Sequence, residues 1–381
     1  MKILIITNSV TPFAPNDVMF FRAAKLLLKS GHNIFISPFD WGDHNSPRYV
    51  ELKDLGAQVD LRPRHALHPQ PLVRLFQRVR RRLSDPLCDY QFIETIQPHL
   101  ILLNDPGTYS ILGNASLSSY LLKLKVPLAI MSHYNDEHSV LTPEVAERAR
   151  LFFTAAAAVF FVSHRNLDTA QRQLCITLGN AIVVDNPPDF DDYTPVPYPS
   201  SEIALMALVA RLDCQIKCQD LVIDALAGEV WKDRNWQLTL YGAGPDEDYL
   251  RRLVEFRNLQ GKVIFGGFSK SIREIWAHQQ LLVLCSSGEG KPLAITEAMI
   301  CGRPSVVTDV GGNAELIEEG QTGFVAAAPT VTLIHEALER AWQQRMQWAA
   351  IGQQAHQAIM QRLTPRPENQ FADHLVRLAS N

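Results

Sequence analysis

The sequence lacks the features that mark secreted, membrane-spanning and nucleic-acid-binding proteins. Its 381 residues carry a formal net charge of only −4, which gives no general case for a nucleic-acid partner. The opening MKILIITNSV has no long apolar core of a signal peptide. The most apolar segment, residues 151–162, is shorter than the roughly 20 residues that span a membrane. We therefore expect a cytoplasmic protein.

Cysteine is scarce and follows no framework spacing. The six cysteines stand at positions 88, 175, 214, 218, 285 and 301, and we expect reduced thiols. The pair Cys214 and Cys218 has no second Cys/His pair at ligand-like spacing, so a zinc site is not predicted. The turn after the first apolar run also lacks a G-x-G-x-x-G pattern, which argues against an NAD site there.

Apolar runs typical of buried strands alternate with helical patterns along the whole chain. The length exceeds one ordinary core, so we predict two α/β domains with doubly wound parallel sheets. The domains cover residues 1–186 and 204–363, and the proline-rich stretch 187–203 links them. We predict a helical segment over 331–362, and residues 364–381 contain a last helix after a Thr-Pro-Arg-Pro break.

Polar residues follow the predicted strands of the N-terminal half. The strand at 2–6 leads into a loop and a helix from about Asp17, for which Asn16 is a plausible N-cap. His133 follows the strand at 127–131, at the edge of a parallel sheet where ligands bind. A histidine after a strand is also a common loop residue with a local hydrogen bond. Both interpretations of His133 stand.

An arginine-rich segment follows the third predicted strand. No acidic residue lies between Leu61 and Ser84, and the apolar residues of 72–83 fall on one helical face. Three interpretations remain: an ordinary surface helix, a helix on an anionic membrane surface, or a site for an anionic acceptor. The arginines proposed for membrane contact are Arg74, Arg78, Arg80, Arg81 and Arg82.

The C-terminal half contains its most informative stretch at residues 281–324. An apolar strand leads into a glycine-containing turn and a helix over 293–300, and the unit then repeats. Glu289 lies in the turn, and Glu297 lies about one turn into the helix. Such a pair of glutamates could be acid and base, or could accept hydrogen bonds from hydroxyl groups.

Two cations and further glycine turns are predicted at the same sheet edge. Arg211 and Lys217 follow the strand at 204–209 and can neutralise a diphosphate. Amides at the start of the 293–300 helix add an anion site. Carboxylates accept hydroxyl hydrogen bonds, so the set suits a diphosphate with sugars on both sides, a nucleotide sugar.

These stretches resemble a known enzyme family. SSGEGKPLAITEAMICGRPSVVTDVGGNAELIEEGQTGF, with its E-x7-E spacing, is similar to the donor-site signature of retaining GT-B glycosyltransferases of family 4, also called glycosyltransferase group 1. ALVARLDCQIKCQDLVIDAL, LTLYGAGPDEDYL, VIFGGF and IMSHYNDEH resemble the same family in register. The resemblance implies two Rossmann-like domains facing a cleft: an N-terminal acceptor domain and a C-terminal donor domain. It also implies a last helix that crosses back to the N-terminal domain.

The resemblance also implies roles for individual residues. Glu289 would hold hydroxyls of the donor sugar, Glu297 the ribose, and His133 would lie beside the donor sugar, while Arg211 and Lys217 would hold the diphosphate. The remaining donor-site candidates are Gly242, Gly244, Gly267, Phe268, Gly290, Lys291 and Leu293. Relatives carry a Gly-Gly pair where this chain has PFAPNDV, from which we take Asn16 and Asp17 as candidate acceptor contacts.

The predicted activity is transfer of a hexose from a nucleotide sugar, preferably a UDP-sugar, with retention of configuration. The acceptor would be a hydroxyl of a glycan or lipid-linked molecule, in synthesis of a cell-surface polysaccharide or glycoconjugate. A peripheral contact with the inner membrane face is compatible with such an acceptor. No convincing D-x-D motif is present, since Asp191-Asp192 lies in the linker; we expect neither metal nor cofactor. The alternatives are a soluble transferase with a small-molecule acceptor and a non-catalytic nucleotide-sugar-binding protein.

Overall fold

The computed structural model describes residues 1–9, 17–41, 46–62, 90–269 and 271–380. Two sequence predictions lie outside this part of the chain: the N-cap and acceptor role of Asn16, and the helix at 72–83. The arginines predicted to touch a membrane lie outside it too: Arg74, Arg78, Arg80, Arg81 and Arg82. The chain divides into two compact units, Met1–Pro187 with Pro365–Asn381, and Pro188–Thr364.

The first unit is built on a parallel sheet of seven strands in the order β3-β2-β1-β4-β5-β6-β7. The strands are β1 (Lys2–Thr7), β2 (Asn33–Ser37), β3 (Gln58–Val59), β4 (Leu100–Asp105), β5 (Leu128–Ser132), β6 (Ala158–Phe161) and β7 (Ala181–Val183). The helices are α1 (Val18–Lys29), α2 (Pro47–Asp54), α3 (Phe92–Ile96), α4 (Ala115–Lys123), α5 (Pro143–Ala155) and α6 (His164–Leu174), with a 3-10 turn at Ser110–Gly113.

The second unit has a parallel sheet of six strands in the order β10-β9-β8-β11-β12-β13. The strands are β8 (Ala204–Val209), β9 (Trp236–Tyr241), β10 (Val263–Gly267), β11 (Leu281–Leu284), β12 (Ser305–Thr308) and β13 (Gly323–Ala326). Its helices are α7 (Cys214–Lys217), α8 (Gln219–Leu226), α9 (Glu229–Lys232), α10 (Glu247–Phe256), α11 (Ile272–His278), α12 (Leu293–Ile300), α13 (Asn313–Leu316), α14 (Val331–Gln343) and α15 (Trp348–Arg362).

The last helix, α16 (Pro367–Ser380), belongs to the first unit. It packs on α1, and the Phe371 ring lies edge-on to Phe160 of β6 with ring centroids 4.9 Å apart. Arg22 of α1 forms an ion pair with Glu368 at 3.7 Å. The end of the chain therefore completes the core of the unit in which the chain begins.

The predicted helical segment over 331–362 is confirmed, and the structure divides it into two helices. Between α14 and α15 lies a 3-10 turn, Arg345–Gln347. The Ala341 carbonyl accepts from the Gln344 N–H at 3.1 Å and from the buried indole of Trp348 at 2.8 Å. An α-helix would use that carbonyl for the N–H of residue 345. The buried indole thus ends α14.

Both sheets reverse their strand order at one point, and this positions the candidate site. The reversal falls between β1 and β4 in the first unit and between β8 and β11 in the second. The central strands are buried on both faces, which explains their continuous apolar runs. In open parallel sheets, ligands bind outside the carboxyl ends of the strands at such a switch point. None of the described helices is long and apolar enough to cross a bilayer.

Candidate functional site

Glu289 lies in the turn after β11, at the switch point of the second sheet. Its side chain is buried, with the residue only 6% exposed. Its Oε1 accepts hydrogen bonds from the Lys217 Nζ and from the Ser286 Oγ, each at 2.6 Å. The carboxylate is therefore an acceptor held by a cation and a hydroxyl. Sequence reasoning found both charges but missed that they form a pair.

The backbone around Glu289 leaves no room for a side chain on the facing turn. Gly311 has a φ of +51°, and a Cβ there would lie 2.2 Å from the Glu289 carbonyl oxygen. The Gly312 N–H also donates to the Gly290 carbonyl at 2.7 Å. Glycine at position 311 allows the turns after β11 and β12 to pack directly against each other.

The segment after β8, which contains Arg211, makes similarly close backbone contacts with the turn after β9. A Cβ at Gly242 would lie 2.0 Å from the Ala210 carbonyl oxygen, and one at Gly244 would lie 2.1 Å from the Leu212 carbonyl oxygen. These glycines, predicted as donor-site residues, thus let the β9 turn pack against the segment that contains Arg211. The close backbone approach explains why glycine stands at both positions, and their donor-site role stays a prediction.

The two predicted cations differ in their surroundings. Arg211 is exposed, and its backbone carbonyl accepts from the Gln219 side chain at 2.7 Å. The Lys217 side chain is 22% exposed and paired with Glu289. The Ser287 N–H donates to the Ile216 carbonyl at 2.8 Å, which joins α7 to the Glu289 turn. The edge therefore presents one exposed cation beside one cation that is already neutralised.

Glu297 lies inside α12 and is 6% exposed. Burial, together with the negative charge of Asp189, raises the pKa of its carboxyl to about 7, and a hydrogen bond from the Asp189 backbone N–H opposes the rise. At neutral pH this group is only partly ionised. Asp189, in the predicted linker, is a neighbour of Glu297 that sequence reasoning missed. Its place in the segment Asn186-Pro187-Pro188-Asp189 was the available signal.

The other donor-site candidates border the same turns. Gly267 ends β10 with a φ of +67°, and the next residue, Phe268, is 76% exposed. Gly290 is buried, whereas Lys291 is half-buried. Leu293 begins α12, whose first-turn N–H groups have no partner within the helix. These positions are compatible with a ligand at the sheet edge, and their roles stay predictions.

His133 follows β5 in the first unit and is 6% exposed. Its Nε2 lies 2.8 Å from the Asn104 Oδ1, at the end of β4. Burial lowers the pKa of the imidazole to about 3. Asp17, predicted as an acceptor contact, is 1% exposed and bonds to Asn104 at 2.8 Å. The structure thus brings Asp17 and His133 into one buried network.

Within the described ranges, no group of three or more His, Cys, Asp or Glu side chains has the geometry of a metal site.

The sequence profile described as Glycosyl transferases group 1 matches residues 204–344. These residues form a glycosyltransferase group 1 domain. The match covers β8 to α14, so it includes Arg211, Lys217, Glu289 and Glu297.

Similar proteins extend this finding. The N-acetyl-alpha-D-glucosaminyl L-malate synthase of Bacillus anthracis is 34% identical over 25% of this chain and 25% of its own length. The alpha-D-kanosaminyltransferase of Streptomyces kanamyceticus is 28% identical over 60% of this chain and 65% of its own length. The chain thus spans less than two thirds of each of these curated relatives.

A solved structure covers nearly the whole chain. The Anabaena HepE structure in complex with UDP-glucose superposes with a TM-score of 0.73, at 21% identity, over 99% of each chain. This likeness and the two parallel sheets establish the predicted GT-B fold. The prediction of a glycosyltransferase group 1 domain is confirmed for residues 204–344.

Proposed function

We propose that the protein transfers a hexose from a UDP-sugar to a hydroxyl of a glycan or lipid-linked acceptor, with retention of configuration and without a metal ion. The observation that carries the proposal is the charged set at the second switch point. There, Lys217 and Ser286 hold the Glu289 carboxylate, and Arg211 is exposed nearby in sequence. The UDP-glucose named for the HepE structure supports the choice of nucleotide.

Each of these side chains binds a different part of the donor. Arg211 and Lys217 bind the diphosphate, and Lys217 retains N–H donors for it because an ammonium has three. Glu289 accepts hydrogen bonds from sugar hydroxyls, and Glu297 accepts those of the ribose. The amides at the start of α12 add partial positive charge.

The transfer step needs no protein nucleophile. The bond from the anomeric carbon to the diphosphate breaks while the bond to the acceptor oxygen forms on the same face. The acceptor proton passes to an oxygen of the departing diphosphate. Arg211 and Lys217 stabilise the charge that develops on that group.

The test is an assay of nucleotide release with UDP-, GDP- and ADP-sugars, followed by NMR of the anomeric proton in the product. We expect turnover with a UDP-sugar, the donor configuration in the product and unchanged rates in EDTA. Inverted product would contradict retention. Activity lost in EDTA and restored by Mg²⁺ would contradict metal independence. Donor hydrolysis without acceptor would exclude a non-catalytic binding protein.

A small-molecule acceptor is the second candidate. The relative named as an L-malate synthase and the one named as a kanosaminyltransferase favour it. Replacing Arg78, Arg80, Arg81 and Arg82 by Ser distinguishes the two, because each basic residue near an anionic surface contributes about 1 kcal/mol to binding. Reduced binding to phosphatidylserine vesicles and reduced lipid-acceptor activity support a site at the inner membrane face. Unchanged values favour the small acceptor.

A further inference from the structure

A short series of hydrogen bonds supports Glu289 from the interior of the second unit. The Thr308 hydroxyl donates to the Ser286 carbonyl at 2.6 Å, and the Ser286 hydroxyl donates to the Glu289 Oε1, also at 2.6 Å. Ser286 and Thr308 are both 0% exposed. Polar groups buried so deeply keep their protein partners, because water does not reach them to replace those bonds. The Glu289 carboxylate is therefore tied to β12 as well as to its own turn.

The series begins where the pairing of β11 with β12 stops. The last paired residues of the two strands are Leu284 and Val307. Thr308 is the next residue of β12, and its hydroxyl continues the contact between the two segments beyond that pair. A threonine side chain has few χ1 rotamers because its Cβ is branched. A stiff side chain therefore holds the Ser286 carbonyl, which lies at the start of the Glu289 turn.

The two groups that donate to Glu289 contact the same oxygen. The Lys217 Nζ and the Ser286 Oγ each lie 2.6 Å from the Oε1. A carboxylate only accepts, and a serine hydroxyl has a single proton, so that proton of Ser286 is used for Oε1. Among the residues that the structure describes, no hydrogen bond to the Glu289 Oε2 is found. The two oxygens of one carboxylate thus have different surroundings.

We propose that Ser286 and Thr308 are positioning residues that hold the Glu289 carboxylate in one orientation, with Oε1 bound by protein groups and Oε2 left for the ligand. The contact between Oε2 and the ligand rests on the proposed function, whereas the orientation follows from the hydrogen bonds alone. Precise binding by a side chain requires such support, because an unsupported carboxylate rotates among several rotamers. Ser286 and Thr308 act through Glu289 and touch no ligand themselves.

The first experiment measures the position of the carboxylate by crystallography of the free protein. We expect one Glu289 conformer in the wild type, with Oε1 against Ser286 and Lys217, and a displaced or second conformer in Ser286→Ala and in Thr308→Val. Valine keeps the shape of threonine and removes only its hydroxyl. An unchanged Glu289 conformer in Ser286→Ala would overturn the role of Ser286, and an unchanged conformer in Thr308→Val would overturn that of Thr308.

Two further variants separate positioning from the general loss of a buried hydroxyl. Thr308→Ser keeps the hydroxyl and should keep the wild-type conformer of Glu289, even if Thr308→Val does not fold. Ser305→Ala removes another buried hydroxyl of β12, one without a hydrogen-bond partner among the described residues. It should leave both the conformer and the kinetics unchanged. A displaced carboxylate in Thr308→Ser or in Ser305→Ala would assign the effect to packing and count against the proposal.

The second experiment links the orientation to the donor. Loss of one hydrogen bond to the sugar should lower kcat/KM for the UDP-sugar about tenfold in Ser286→Ala, with the affinity for UDP unchanged because UDP lacks the hexose. Equal weakening of UDP binding, or an unchanged kcat/KM beside a displaced carboxylate, would contradict a ligand contact at Oε2. If the carboxylate moves as expected but the wild type turns over no sugar nucleotide, the proposed function fails and the positioning role stands. Turnover with an unmoved carboxylate has the opposite meaning.

Discussion

The carboxyl edges of the two sheets occupy equivalent places in their units, yet the candidate site residues that they carry differ in charge. At the first edge, His133 is neutral, and burial holds the pKa of Asp17 near 7. At the second edge, Lys217 and Glu289 form an ion pair at 2.6 Å, and Arg211 is exposed. One edge is suited to neutral hydroxyl groups and the other to a charged phosphate group.

The contrast shows what the fold supplies and what the side chains supply. Parallel topology places the ends of β1 and β4, and of β8 and β11, at switch points in both sheets. Burial then favours the uncharged forms of Asp17 and His133 at the first edge, although the charge of Arg48 opposes this at Asp17. Ion pairing and solvent exposure keep the side chains of the second edge charged. The same architecture therefore carries different side-chain chemistry at the carboxyl edge of each sheet.

The largest expected effect tests the packing that supports the charged edge. Gly311→Ala places a Cβ 2.2 Å from the Glu289 carbonyl oxygen at a positive φ. We expect the free energy of unfolding to fall by about 3 kcal/mol, measured by chemical denaturation. Gly320 also has a positive φ, but its nearest atom lies 3.8 Å away. Gly320→Ala should lose only about 1 kcal/mol, and equal losses would refute the close-contact explanation.

Glu289→Gln tests the charge itself. The amide keeps the volume but removes the negative charge that accepts from Lys217 and Ser286. We expect kcat to fall about 100-fold, which corresponds to about 2.7 kcal/mol of transition-state stabilisation. The control is Glu247→Gln, which removes an exposed carboxylate paired with Arg251. An unchanged kcat in Glu289→Gln would remove this residue from the mechanism.

The two cations should respond differently to neutralisation. Lys217→Met leaves the buried Glu289 carboxylate without its cation, so stability should fall by about 2 kcal/mol. Arg211→Met changes an exposed residue and should leave stability within about 0.5 kcal/mol. Both variants should weaken UDP binding in calorimetry. A stable Lys217→Met protein would show that the ion pair contributes little.

The smallest effect concerns pH and Glu297. Its pKa is raised from 4.5 to about 7, so the folded state binds more protons than the unfolded state between these values. Stability from this group is present below pH 4.5 and is lost as pH rises toward 7. Glu297→Gln should remove about 1 kcal/mol of the decline between pH 5 and 6. The exposed Glu318 gives a control variant, Glu318→Gln, and an unchanged slope in Glu297→Gln would contradict the raised pKa.

Local sequence patterns predicted much of this molecule. The strand at 204–209 and the helix at 293–300 have the predicted bounds. Apolar runs flanked by glycine and polar residues specify such buried elements locally. The break in the helix after Gln343 depends on a tertiary hydrogen bond from Trp348, which periodicity does not report.

The sequence indicated candidate site residues but not the contacts that their side chains make. Glu289, Lys217 and His133 stand out by residue type after strands. Their partners depend on long-range contacts: Lys217 and Glu289 are 72 residues apart, and Asp17 and Asn104 are 87 residues apart. Asp17 was predicted as a helix start and a candidate acceptor contact, and its buried bond to Asn104 depends on the pairing of β1 with β4.

The most direct test is calorimetric titration with UDP and with a UDP-hexose, which compares how each sheet edge contributes to the affinity for the two ligands. Arg211→Met should weaken binding of both ligands by a similar factor, because both contain the diphosphate. His133→Ala should weaken binding of the UDP-hexose about tenfold and leave UDP unaffected, because only the UDP-hexose carries the sugar hydroxyl. Equal loss of UDP and UDP-hexose affinity in His133→Ala, or no loss in Arg211→Met, would contradict the account.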